Sequence, residues 1–263
     1  MSAKTVQSHP RALIFLAAGA GSRLRPLTDT KPKCLLQVGK TTIIDILIRQ
    51  VQSHVEREIV VVCGFRGERL ERHLRENHPK VDISFVYNLS YDQDINILSL
   101  ELGVNTLKKP DNGYTIIETD ILLDSESWNI IRTAELTDKS FWITSGVYNC
   151  HLTGGIVLAD HTDKSILDIA YVPKYDPRYE GWAKMLGIVS VSPLQVQSDR
   201  MHRKDILRET SRHYYMEPWI RHLQDLPCVA VDLGSLFAKS FNTIDEYNLA
   251  RSAFLKLVPE DSI

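Results

Sequence analysis

Several things are scarce in this chain, and each absence narrows the field. There are four cysteines in 263 residues, Cys34, Cys63, Cys150 and Cys228, and no C-x-x-C pair among them. A disulfide scaffold and a structural zinc finger are therefore both unsupported. A reduced, cytoplasmic protein is the simplest expectation. Net charge is only −2, so no basic excess points to nucleic acid or to an anionic membrane. No apolar run approaches the roughly 18 residues of a membrane span. Residues 1–11, MSAKTVQSHPR, lack the apolar centre of a signal peptide and are expected to form a loose tail. No Ser-His-Asp or Cys-His arrangement suggests covalent catalysis. Hydrophobic content of 43% and charged content of 24% then leave an ordinary globular protein able to bury one core.

What is present centres on Leu13 to Gly39, LIFLAAGAGSRLRPLTDTKPKCLLQVG. Ala12 to Leu16 is a continuous apolar run, as expected of a strand buried on both faces of a parallel sheet. It breaks into Ala17-Ala18-Gly19-Ala20-Gly21, a small-residue turn that lets backbone amides approach a ligand closely. Ser22, Arg23 and Arg25 follow, then Lys31 and Lys33 around Pro32. Such a loop followed by fixed cations suits a polyphosphate. Two familiar phosphate motifs fail here. The third glycine of G-x-G-x-x-G would fall on Leu24, and the first glycine of a Walker A loop ending at Gly39-Lys40-Thr41 would fall on Cys34.

Beyond this stretch, strands and helices alternate. Thr42 to Gln52 carries apolar residues at helical spacing, Glu58 to Cys63 reads as a second buried strand, and Arg69 to Asn77 as a short helix. Ile83 to Tyr87 and Tyr114 to Ile117 read as further strands. This order predicts an α/β fold: a single Rossmann-like, doubly wound, mostly parallel sheet, with ligands at the carboxyl ends of its strands. Between about 141 and 192 the pattern changes to short strands and turns. A hairpin is expected after Ala159-Asp160, standing away from the main sheet as a small β-rich, acceptor-binding lobe. Residues 12–263 are read as one domain including that lobe. Met201 to Leu226 reads as helix broken by Pro218, and Cys228 to Leu233 as a last strand.

The run L-A-A-G-x-G-S-R-L-x-P-L-T-x-x-x-P-K-x-L-L-x-V-G, from Leu16 to Gly39, resembles the signature of the nucleotidyltransferases that make NDP-sugars and CDP-alcohols. The resemblance implies that Leu16, Ala17, Ala18, Gly19, Ala20, Gly21 and Ser22 hold a nucleotide, and that Arg23 and Lys33 are catalytic. Asn88 to Leu107 has an Asn-then-Ser-Leu pattern after N-x-x-Y. That pattern is similar to the subgroup transferring cytidylyl groups to phosphocholine or phosphonates, and adds Asn96 and Ser99 to the nucleotide site. Helix capping by Asp94 or Asn96 is the plainer alternative. Asp120, just past an apolar strand, takes the family's magnesium-binding role, with Glu118 and Asp124 as acids of lesser claim and helix capping as its own alternative. Thr119 stands where glycine is common.

Thr243 to Ala250 resembles the family's T-x-E-D-L-x-x-A helix start. Asn242 stands where many relatives have a second magnesium-binding Asp. Either Asn242 serves as a neutral ligand, or Asp232 substitutes, or the ion rests on Asp120 and the nucleotide. Lys174 and Lys184 are candidates for the acceptor phosphate. Glu217, in the family-like segment Tyr214-Tyr215-Met216-Glu217, joins the acceptor site. Tyr171, Tyr175, Tyr179 and Trp182 could line a pocket for a quaternary ammonium, although simple packing explains them as well.

The implied function is transfer of a cytidylyl group from CTP to a small phosphate or phosphonate acceptor, with Mg2+ as cofactor. Neither nucleic acid nor membrane is an expected partner, and the sequence leaves room for a homodimer. A sugar-1-phosphate nucleotidylyltransferase shares the signature and is the main alternative. A non-catalytic nucleotide-binding module would tolerate loss of Arg23, Lys33 or Asp120, and all three are present.

Overall fold

A computed structural model describes residues 10–52 and 57–258. The chain runs through β1 (Ala12–Ala17), β2 (Gln37–Val38), β3 (Thr41–Thr42), α1 (Ile43–Gln52), β4 (Ile59–Cys63), α2 (Gly67–Asn77) and β5 (Ile83–Tyr87). It continues with α3 (Ile97–Thr106), β6 (Tyr114–Glu118), β7 (Ile121–Leu123), α4 (Ser125–Glu135), β8 (Ser140–Val147), β9 (Gly154–Ala159) and β10 (Ile166–Val172). The last elements are β11 (Ala183–Val191), α5 (Val196–Glu209), α6 (Glu217–His222), β12 (Cys228–Asp232), β13 (Ala238–Ser240) and α7 (Ile244–Leu257).

Strands β6, β1, β4 and β5 lie side by side and parallel, with β1 in the middle. Neighbours on both edges and helices on both faces explain why β1 is apolar throughout. Leu13, Phe15 and Ala17 pack into one core layer with α1, α2, α4 and α7. Ala12, Ile14 and Leu16 pack into the other, with residues of α3, α5 and α6. A strand with two buried faces has no polar side to show.

The hairpin expected after Ala159 forms: Ile166 to Val172 pairs antiparallel with Gly154 to Ala159. It does not stand away from the sheet. β9 pairs with the start of β11, and the end of β11 pairs with β6. All four strands of the expected lobe therefore belong to one nine-stranded sheet, whose far half is largely antiparallel. The long β11 makes this continuity, because β6 and β9 share one edge of it while β8 takes the other.

Two further expectations are corrected. The helix expected over 201–226 is divided before Pro218, at 210–216, and Pro218 sits in the first turn of α6. A proline in a first turn forfeits no helical hydrogen bond. Arg11, placed in the tail, is buried, and its guanidinium donates to Ser190 Oγ (2.8 Å) and to the carbonyls of Thr137 (2.6 Å) and Lys139 (3.0 Å). The rest of that tail, 1–9, lies outside the described residues. Among the described residues no helix is long and apolar enough to cross a membrane.

Candidate active site

The carboxyl ends of β1 and β6, the loop 18–24 and the segment 214–216 enclose a cavity of about 420 Å3. Strand ends of a parallel sheet gather backbone groups with unfilled hydrogen bonds, so ligands collect there. Ala18, Gly19, Ala20, Gly21 and Ser22 all line it, as does Leu16. Ala17 does not, because strand alternation sends its side chain into the opposite core layer. Gly21 has φ +60°, and a Cβ there would come within 3.2 Å of both Lys33 and Thr28. Its carbonyl accepts the Thr28 hydroxyl (2.8 Å), which pins the turn. Gly21 is thus set by backbone geometry. At Gly19 a Cβ would meet nothing within 4 Å, consistent with a wall facing open space.

On the floor, Lys33 Nζ donates to Asp120 Oδ2 at 2.7 Å. Asp120 is 4% exposed, and its second oxygen, Oδ1, is buried without a partner. Burial works against the Lys33 charge, but Asp120 and Glu118 outweigh it and raise its pKa. Glu118 has a carboxyl pushed up to about 7, first by burial and then by the Asp120 charge, against the pull of Lys33 and Lys184. Gly187 makes room for it: a Cβ at that position would stand 2.7 Å from Glu118 Oε2. Thr119, in the place of the common glycine, is buried and donates to the Leu16 carbonyl (3.2 Å), tying β6 to β1. Asp124 is a helix cap, accepting from the amides of Ser127 (2.7 Å) and Phe237 (2.9 Å), and is no part of the cavity.

Arg23 reaches across to Asn242, donating to Oδ1 at 2.6 Å. Asn242 lines the cavity, but the oxygen expected to ligate a metal already faces a guanidinium. The turn is fixed by a capping box in which Thr243 and Glu246 bond reciprocally at the start of α7. Asp232 is exposed, accepts from the Gly234 amide (3.2 Å) and does not line the cavity. It is therefore no substitute ligand.

Asn96 and Ser99 both line the cavity, and neither has its side chain free. Asn96 Oδ1 accepts from the Tyr215 amide (2.6 Å), which locks segment 214–216 against the start of α3. The Ser99 hydroxyl donates to Asp94 (2.8 Å) and accepts from Asn88 (2.9 Å). Asp94 caps the helix through the Leu98 and Ser99 amides (3.1 and 2.9 Å), so capping accounts for Asp94 but not for Asn96.

On the acceptor side the structure sorts the candidates. Lys184 lines the cavity, with Nζ on the carbonyls of Gly155 (3.1 Å) and Met185 (2.8 Å), and burial lowers its pKa. Lys174 is exposed, beyond the end of β10 and outside the cavity. Glu217 also lies outside it, bonded to Arg221 (2.8 Å) within α6. Of the four aromatics named from sequence only Tyr171 lines the cavity. Tyr179 and Trp182 pack on a small separate core around Tyr148, Ile156 and Val172, and Tyr175 stacks on Tyr148. Aromatic lining residues with no role assigned from sequence include Tyr214, Tyr215 and Trp142. Tyr214 stacks on Tyr171 with centroids 4.0 Å apart, and Trp142 stacks on Tyr215 at 5.9 Å. The Tyr215 hydroxyl bonds to Glu118, and burial raises its pKa well above the usual value. The segment Tyr214-Tyr215-Met216-Glu217 thus contributes its two tyrosines to the lining, and not its acid.

Known proteins resemble this chain in sequence and in fold. A choline-phosphate cytidylyltransferase from Streptococcus pneumoniae is 35% identical over 156 residues, 59% of this chain and 62% of that protein. A 2-aminoethylphosphonate cytidylyltransferase from Lancefieldella rimae is 35% identical over 114 residues, 43% of this chain and 44% of that protein. The matches thus span less than two thirds of these relatives. The solved structure of CTP:phosphocholine cytidylyltransferase from Streptococcus pneumoniae superposes with a TM-score of 0.77 over 93% of this chain and 99% of its own, at 19% identity, and shares the fold. The family model for nucleotidyl transferases matches residues 12–167, which run from β1 through the glycine loop and Asp120 into β10. With more than half of its length matched there, the chain belongs to the nucleotidyl transferase family.

Proposed function

We propose that this protein transfers a cytidylyl group from CTP to a small acceptor carrying a phosphate or phosphonate and a cationic head, releasing pyrophosphate. The observation that carries the reading is the Lys33–Asp120 pair on the floor of a cavity walled by the glycine loop. The names of the two relatives, both cytidylyltransferases, support the choice of group and of acceptor class.

The acceptor oxygen attacks the α-phosphorus of the nucleotide. A new oxygen–phosphorus bond forms, the bond to the β-phosphate oxygen breaks, and its electrons leave with pyrophosphate. An anionic acceptor oxygen needs no general base, so the task is to bring anions together. Lys33 and Arg23 neutralise charge that grows in the transition state, and the amides of loop 18–22 cradle the nucleotide. Asp120 fits a magnesium ion: it is a buried carboxylate with one oxygen unpartnered, opposite the one Lys33 holds. Bound there, magnesium would act as a Lewis acid on phosphate oxygens. Asn242, engaged by Arg23, steadies that arginine.

Aromatic faces at Tyr171, Tyr214, Tyr215 and Trp142, with the Glu118 carboxyl beside them, support an ammonium head on the acceptor. Lys184 suits its anionic end. A pyrophosphate-release screen tests this by crossing four nucleoside triphosphates with phosphocholine, 2-aminoethylphosphonate and sugar 1-phosphates. The expected turnover is with CTP and an ammonium-bearing acceptor, requires Mg2+, and stops with EDTA. Turnover confined to a sugar 1-phosphate would replace this reading with NDP-sugar synthesis, and silence with every pair would remove it.

A further inference from the structure

Behind the aromatic wall, α5 and α6 bring together three side chains that the transfer chemistry does not use. His202 lies in α5, His222 ends α6, and Asp225 follows in the turn toward β12. One nitrogen or oxygen from each lies within 4.8 Å of the other two, and among the described residues this is the one trio of His, Cys, Asp or Glu that converges so. The imidazoles stack, with centroids 3.9 Å apart and planes 10° from parallel. His202 is 7% exposed, and its Nε2 stands 3.2 Å from Asp225 Oδ2 without hydrogen-bond geometry, leaving that buried nitrogen without a partner. Stacking accounts for the ring faces and leaves the nitrogen unexplained, and a buried polar atom without a partner is costly.

We propose that His202, His222 and Asp225 bind one divalent cation of the zinc class, separate from the magnesium expected at Asp120. Two imidazoles and a carboxylate are the donor set that zinc, cobalt(II) and nickel prefer, whereas magnesium prefers all-oxygen sites. With metal–ligand bonds of about 2.0–2.2 Å, neighbouring donors in a tetrahedron stand roughly 3.3–3.6 Å apart. The 3.2 Å between His202 and Asp225 is close to the short end of such an edge. His222 and Asp225 also line a second cavity, of about 1140 Å3, which gives an ion a route in and a water a place as fourth ligand. The cluster of Asp45 with His73 and His78 offers no such site, because there both imidazoles are hydrogen-bonded to the carboxylate, at 3.0 and 2.8 Å. An ion held by His202 of α5 and by His222 and Asp225 fastens α6 to α5, and Tyr214 to Met216, which line the active cavity, lead directly into α6. The site is a clamp on the acceptor wall.

Cobalt(II) titrated into the metal-stripped full chain, with Mg2+ in excess to occupy Asp120, reads the site by its visible absorption. One equivalent is expected, with the strong bands of four-coordinate cobalt, displacement by Zn2+, and a melting midpoint raised by ~2–4 °C. His222→Gln and Asp225→Asn, which change ligands less buried than His202, are each expected to weaken binding by at least ~10-fold while still folding. Cys150→Ser, which removes the exposed thiol, is expected to bind as wild type does. Wild-type affinity in both ligand variants, loss of binding in Cys150→Ser, or no saturable absorption in the wild type would each overturn the proposal.

Discussion

Asp45 and Asp120 are equally buried, each 4% exposed, and they do opposite things. Asp45, in the first turn of α1, accepts from His73 (3.0 Å), His78 (2.8 Å) and the Thr42 hydroxyl (2.6 Å), so both oxygens are in use. Asp120 accepts from Lys33 alone and keeps Oδ1 unpartnered beside a cavity. Burial of a carboxylate therefore does not mark a site. A closed set of donors makes architecture, and an unfinished set next to open space makes a place for a ligand.

The contrast can be broken first at Asp45. Asp45→Ala leaves two histidines and Thr42 facing nothing, and a loss of ~3–5 kcal/mol in unfolding free energy is expected from urea melts. Turnover of the fraction that remains folded should stay within a few-fold of wild type; a normal urea midpoint would show the cluster to be dispensable. The reverse pattern is expected on the floor of the cavity. Lys33→Ala and Arg23→Ala should each lower kcat by ~10²–10³, or ~2.7–4 kcal/mol, with the urea midpoint separating a lost contact from a lost fold. Near-wild-type turnover in either variant would strip that residue of its role.

Acid sharpens the comparison further. Burial works against ionisation of Asp45, but the hydrogen bonds from His73, His78 and Thr42 prevail and hold its pKa far below the usual carboxylate range. A depressed folded pKa adds stability that is fully present above the unfolded value, about 3.9, and fades as pH falls toward the folded one. Wild type should therefore lose stability below about pH 4 more steeply than Asp45→Asn does. Acid limbs of equal slope would mean that Asp45 is not linked to folding. The smallest effect is expected at Asn242, whose bond to Arg23 is solvent-exposed. Asn242→Ala should change turnover by about fivefold at most, equivalent to ~1 kcal/mol. A loss as deep as that of Arg23→Ala would restore Asn242 to the metal site.

Much of the nucleotide half was legible because its signals are local. An apolar strand, a turn that needs φ > 0 at Gly21, and cations at fixed spacing lie within thirty residues, and the structure brings Arg23, Lys33 and the loop to one cavity. Asp120, two residues past the end of β6, takes its metal role from the family resemblance and not from any local pattern. The acceptor half was not legible in the same way. Lys174 and Lys184 carry the same chemistry, and only pairing separates them: Lys184 is held opposite Ile156 in β9, while Lys174 falls past the end of β10. Glu217 belongs to a segment chosen by family resemblance, yet it bonds to Arg221 within α6, and Tyr214 and Tyr215 line the cavity.

By itself the sequence determined the parallel core, the glycine loop and the cations that follow it, since these depend on backbone freedom and on residues close in the chain. Tertiary structure alone decided that the supposed lobe continues the main sheet, that Asn242 meets Arg23, and that Asp45 is saturated while Asp120 is not. Those outcomes join residues far apart in the chain, Arg23 to Asn242 and Lys33 to Asp120 among them. Which side chains meet across such distances is set by strand register and helix packing, and neither is written in any short stretch of residues.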